Sequence, residues 1–187
     1  WLNPYARGAT GIAYAGGSAF IGGDELVRVN PVSGAISTLF QGSIYQPTRY
    51  TFLDVKSYNN KIYALARDHL HRVLVFNPAT GSFEQQIQLS GSAERLMIDS
   101  RGRMLVGTRS SYGSDGPRYN YFSVAHDGVL GRQVLENVTG IAFSPDRHAL
   151  TFTPEAIWYT DDDFAGFRQV QCGGYCPWDT GVFWKKL

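Results

Sequence analysis

The chain has 187 residues, 43% of them hydrophobic, with 18% charged residues and a net charge of +1. That suffices for one domain with a core, and it leaves no electrostatic footprint for nucleic acid or an anionic membrane. No apolar run approaches the roughly twenty residues that span a bilayer. The 21 Gly, 11 Tyr, 11 Phe and 4 Trp suit a many-turned β protein better than a helical one.

Residues 1–10 read as a lone strand or arm; with Trp1 first and no signal peptide, the chain reads as a processed mature form or a piece of something longer. Four short strands are predicted next, at Gly11-Ile-Ala-Tyr14, Ser18-Ala-Phe-Ile21, Leu26-Val-Arg-Val29 and Ile36-Ser-Thr-Leu39. The third and fourth are joined by Asn30-Pro31-Val-Ser-Gly34, where Pro presets one dihedral and Gly supplies a positive φ. The device returns as Asn77-Pro78-Ala-Thr-Gly81, between Val73-Leu-Val-Phe76 and a strand from Phe83 to Leu89. The two turns stand about 47 residues apart, and His126-Asp127-Gly128 follows at about the same interval, a period of propeller size.

Residues 94–146 hold one complete unit and the start of the next. Leu96-Met-Ile-Asp99, Met104-Leu-Val-Gly107-Thr108, Tyr121-Phe-Ser-Val124 and Val129 to Leu135 are its strands, and Gly140-Ile-Ala-Phe143-Ser-Pro145-Asp146 opens the last unit. That unit continues through Ala149-Leu-Thr-Phe152, Ala156-Ile-Trp-Tyr159 and Phe167-Arg-Gln-Val170. The expected fold is an all-β propeller of four four-stranded blades in a single domain. The blades run over about 11–42, 50–91, 93–136 and 138–171, and 172–187 serves as a closing strand. Four blades are the lower limit for a ring. The chain either closes alone, belongs to a larger ring, or is completed by other chains; its two ends favour the latter two.

Asp99-Ser-Arg-Gly-Arg103-Met-Leu-Val-Gly107-Thr108, and Asp127-Gly128 followed by Gly140-Ile-Ala-Phe-Ser-Pro-Asp146, resemble segments of the senescence-marker, gluconolactonase and luciferin-regenerating family of six-bladed propellers. NHL and YVTN propellers use similar turns. The resemblance implies a propeller and a calcium-dependent lactonase or esterase activity. Its metal-binding Asn is replaced here by Thr139, and its substrate-holding Asn-Asp pair by Ala93-Glu94-Arg95. Where its catalytic Asp is expected, Cys172 to Trp178 stand instead. Calcium takes six to eight oxygen ligands. The fold therefore carries over from this family and the activity does not.

Residues 110–117, followed by Arg118-Tyr-Asn-Tyr-Phe122, read as a long loop interrupting the third unit. Such a loop on a rigid β scaffold is where contacts collect. Tyr112, Asp115, Arg118, Tyr119 and Tyr121 are its candidate contact residues, with Trp158 and Tyr159 on the fourth unit. Asp54, Asp99 and Asp146 recur at first-strand or turn positions, and their expected role is to satisfy turn amides. Asp161 and Asp163, in a run of three Asp, are the metal candidates, though the run lacks the alternate spacing of a calcium loop. His69 and His71 share a strand face without a third ligand, and a solvated hairpin tip is expected there.

Cys172 and Cys176 either close a tight disulfide loop or remain free thiols. Asn137-Val-Thr139 is an N-glycosylation acceptor triplet, which with the cysteines points to a secreted or extracellular setting. No nucleophile elbow, zinc-protease helix or phosphate loop occurs. The expected function is a non-enzymatic extracellular binding or assembly module. Its partners are other protein subunits or copies of itself, or glycans stacked on aromatics, with no cofactor. The alternative is the calcium-dependent lactonase.

Overall fold

A computed structural model describes residues 9–41, 51–113, 116–144, 146–153, 156–161, 164 and 166–170. They form four four-stranded antiparallel sheets, each a meander in chain order, arranged as a four-bladed β-propeller. Blade 1 comprises β1 (Gly11–Ala15), β2 (Ser18–Gly22), β3 (Glu25–Val29) and β4 (Ile36–Gln41). Blade 2 comprises β5 (Thr51–Tyr58), β6 (Lys61–Arg67), β7 (His71–Phe76) and β8 (Phe83–Gln88). Blade 3 comprises β9 (Arg95–Ile98), β10 (Met104–Gly113), β11 (Gly116–Val124) and β12 (Leu130–Val138). Blade 4 comprises β13 (Gly140–Phe143), β14 (His148–Phe152), β15 (Ile157–Asp161) and β16 (Phe167–Val170).

Short apolar runs bounded by Gly, Pro and Asn pair as hairpins because a neighbouring strand is the nearest way to satisfy their backbone groups. The turn chemistry acts as expected. The Asn30 side chain accepts from the amides of Val32 and Ser33, and Gly34 N–H donates 2.8 Å to the Asn30 carbonyl at φ 72°. Asn77 and Gly81 repeat this arrangement, with Asn77 Oδ1 accepting from Ala79 and Thr80. The third copy is one residue tighter: Gly128 N–H closes onto Ala125, and Asp127 accepts from Val129 N–H at 3.1 Å.

Three apolar cores lie at the junctions between consecutive blades. Ala13, Phe20 and Leu26 meet Phe52, Ile62, Ala64, Leu74 and Phe76 between blades 1 and 2. Leu65, Val73, Ile87 and Leu89 meet Ala93, Leu96 and Val106 between blades 2 and 3. Leu105, Tyr119, Tyr121, Leu135 and Val138 meet Ala149 and Phe164 between blades 3 and 4. Because successive side chains point to opposite faces, blade 2 divides its strands between two neighbours. Ile62 and Ala64 face blade 1, while Leu65, on the opposite face of β6, packs toward blade 3.

Polar groups stitch the same junctions. Arg28 donates at 3.0 Å to Ser18 Oγ within blade 1 and to the Ala79 carbonyl of blade 2. The turns carry shape as well: a Cβ on Gly128 would lie 1.9 Å from the Gln88 carbonyl oxygen, so only Gly lets this turn of blade 3 lie on the outermost strand of blade 2.

Where a long loop is expected at 110–117, the described residues 111–113 and 116–117 lie instead in a paired ladder. Ser111, Tyr112 and Gly113 lie opposite Arg118, Pro117 and Gly116, with a bulge between Arg109 and Ser111. Its Gly, Ser and Pro content reads as loop, yet cross-strand pairing outweighs that local preference.

Candidate functional site

The overhanging hairpin of blade 3 is the most distinctive surface. Strand β9 pairs only with Met104–Gly107 of β10. Beyond that edge β10 and β11 continue, with β12 beside β11 as far as Tyr119 and then as a two-stranded ribbon, and a bulge falls between Arg109 and Ser111. Arg109 Nε donates to Glu94 Oε2 at 2.8 Å and a terminal nitrogen reaches the same oxygen. The other terminal nitrogen donates to the Tyr112 hydroxyl, and the guanidinium carbon lies 4.5 Å from the Tyr112 ring centroid. The Glu94 hydrogen bond also raises the Arg109 pKa. Tyr112 is 69% exposed, so a large ring is displayed to solvent while a charge pair fixes its orientation.

Beneath this cluster Tyr119 and Tyr121 go into the core, each 2% exposed, with centroids 6.3 Å apart. Burial raises both phenol pKa values. The Arg95 guanidinium lies 5.0 Å over the Tyr119 ring. These two tyrosines, expected on the contact surface, therefore support it from below. Arg118 is half-buried, and Asp115 lies outside the described residues. Trp158 and Tyr159 are half-buried on blade 4 and point to opposite faces of β15, so they do not share one surface with each other. Tyr159 stacks on His148 at 5.0 Å.

Sequence reading missed Glu94, Arg95 and Arg109 as members of this cluster. Glu94 and Arg109 are brought together by the β9–β10 register, in which Arg95 lies opposite Gly107. Charge alternation across that hairpin was the available signal.

The carboxylates are occupied by protein donors. Asp99, buried, accepts from the amides of Arg101 and Arg103 at 2.9 and 2.8 Å and pairs with the Arg103 side chain. That is the turn-satisfying role expected of it. Asp54 differs: it sits within β5, takes Val55 N–H and Lys56 Nζ at 2.9 and 2.7 Å, and reaches across the junction to Leu96 N–H at 3.0 Å. Asp146 is exposed in the β13–β14 turn. A calcium ion needs six to eight oxygens, and the residues at Asp54 and Asp99 do not fit it. Among the described residues no three His, Cys, Asp or Glu gather to hold a metal.

His69 is not paired with His71 as a ligand set. It sits in the turn with Nδ1 3.2 Å from Asp68 Oδ2, which Arg72 also approaches at 3.3 Å. His71 begins β7, half-buried. Asn137 is exposed at φ 53°, with its amide oxygen accepting from Ser110 Oγ at 2.8 Å. Asp161 is exposed, while Asp163, Cys172 and Cys176 lie outside the described residues. Among the described residues no helix is long and apolar enough to cross a membrane.

No protein-family model matches the chain, and no curated protein matches it. The resemblance to the senescence-marker and gluconolactonase family therefore gains no support from a matched family. Solved structures do match. A protein from Bacteroides fragilis designated as exported superposes with a TM-score of 0.60 at 17% identity, over 87% of this chain and 50% of that one. The extracellular domain of a B. thetaiotaomicron protein designated a hybrid two component system matches at 0.54 and 17% identity, over 86% of this chain and 22% of that one. The computationally designed Ika4 protein matches at 0.51 and 16% identity, over 86% of this chain and 95% of that one. The chain thus spans half or less of these two natural chains. At these identities the likeness establishes the propeller fold.

Proposed function

We propose that the chain is a non-enzymatic extracellular binding module, a rigid propeller that displays the 108–118 hairpin to a protein or glycan partner. The observation that carries this reading is Tyr112, exposed on an overhanging ribbon and held by Arg109 and Glu94. A pre-oriented aromatic loses little side-chain freedom on binding, and Tyr with Arg is the usual chemistry of contact hot spots. The ring also offers a flat apolar face of the kind that stacks on a sugar, with a polar edge already engaged. The extracellular setting is supported by the designations of the matched Bacteroides proteins. The saturated Asp54 and Asp99 support binding over calcium-dependent hydrolysis.

The test is a glycan array and an array of secreted proteins, probed with the chain and with its Tyr112→Ala and Arg109→Ala variants. Each substitution is expected to weaken the strongest interaction about tenfold or more, the size of a hot-spot loss. Binding that both variants retain in full would refute the hairpin as the contact surface. Calcium-dependent lactone hydrolysis by the chain would refute the non-enzymatic reading.

A further inference from the structure

We propose that a second copy of this chain covers the outer face of blade 1 with the outer face of its own blade 4. Burial along the strands shows which faces lack a neighbour. In blade 2, packed on both sides, β7 ends in four consecutive buried residues. In blade 1, β2 alternates between buried and half-buried, and in blade 4, β14 alternates in the same way. A sheet covered on one face alternates; a sheet covered on both does not. Among the described residues blades 1 and 4 are therefore the end blades, each with one face left over.

Both leftover faces are apolar at their centres, with Glu25 and Thr38 also on the first and His148, Asp161 and Arg168 also on the second. On blade 1, opposite the face that holds Ala13 and Phe20, stand Ile12 at 66% exposure and Tyr14 at 61%, beside Ile21, Val27 and Val29. On blade 4, opposite buried Ala149 and Thr151, stand half-buried Leu150, Phe152, Ile157 and Tyr159.

The turns supply a second, independent mark. In blades 2 and 3 the turn before the outermost strand lies on the preceding blade: a Cβ at Gly81 would come 2.6 Å from Leu39, and at Gly128 1.9 Å from the Gln88 oxygen. Gly34 repeats the turn in blade 1, at φ 72°, but nothing lies within 4 Å of its Cβ position. Among the described residues, no outermost strand of another blade lies against this turn of blade 1. Strand β16 is such a strand, exposed at all four residues, with Phe167 at 43% and Val170 at 37%.

Every junction inside the chain sets the rear face of one blade on the front face of the next. Blade 4 of one copy on blade 1 of another continues that rule, which makes the contact heterologous. Two copies joined at both ends would close a ring of about eight blades, within the usual propeller range. This inference does not depend on what the hairpin binds.

Sedimentation velocity of the 187-residue chain at micromolar concentration tests it, alongside Ile12→Lys and Tyr14→Glu. Both side chains are exposed within one copy, so both variants should keep the wild-type far-UV circular dichroism. The expected result is a two-copy species that each variant converts to a single copy. A larger species lost in the same variants also supports the contact. A wild-type chain that is a single copy at every concentration overturns the proposal. A two-copy species that both variants retain overturns it too, because the contact then lies elsewhere. Tyr112→Ala should leave the sedimentation unchanged, which separates this contact from the hairpin reading.

Discussion

Gly128 shows how one missing atom permits a blade junction. Its φ of 87° disfavours any L side chain, and the Gln88 carbonyl blocks the space a Cβ would fill. Gly128→Ala is expected to cost about 3 kcal/mol or more, from left-handed strain plus a backbone clash. Urea denaturation measures it, and a loss under about 1 kcal/mol would mean the turn does not rest on Gln88. The sequence showed that this Gly recurs at a fixed interval and that a positive φ was needed. What it packed against was not legible, because the partner lies in another blade. His71 gives a second residue-scale expectation. Burial, then the Arg67 charge, lowers its pKa below 6.5, while Glu94 and Asp68 act the other way. The unfolded chain then binds a proton that the folded chain resists. The stability this contributes is full above pH 6.5 and is lost as pH falls below it toward the lowered folded value. Wild-type urea midpoints should fall more between about pH 7.5 and about pH 5.5 than those of His71→Gln. An equal fall in both would contradict the assignment.

At the scale of elements, strands and turns were largely legible and the hairpin was not. Val73-Leu-Val-Phe76 announces a strand by β-branching and by its Asn-Pro turn, and it emerges as β7. Residues 110–117 announce a loop by composition, yet Ser111–Gly113 of β10 pair with Gly116–Arg118 of β11. That pairing gathers Glu94, Arg109 and Tyr112, and it could not be read from residues 15 and 18 apart in sequence without the register. By its sequence position Asp54 reads as one of the turn-capping carboxylates, but it joins two blades by accepting Leu96 N–H. Asp54→Ala should leave that buried amide unsatisfied and cost about 1–3 kcal/mol in urea denaturation. Tyr112→Ala, by contrast, should change stability by less than about 0.5 kcal/mol, since its ring packs into no core. A large loss there would make the hairpin a structural brace rather than a display surface.

At the scale of the whole molecule, the described residues form a short stack of sheets joined through three apolar junctions, and that stack has two ends. A four-bladed propeller with no helix among the described residues was legible from turn period, run length and composition. Which faces would be left uncovered was not, because Ile12 and Ile62 look alike in sequence and differ only in having a neighbouring blade. The exposed face of blade 1 and the open turn at Gly34 are the consequence. Native mass spectrometry of the purified chain asks directly whether those ends meet. The account expects the mass of two copies, falling to one when Tyr14→Glu charges the outer face of blade 1. A single-copy mass for the unaltered chain would contradict it.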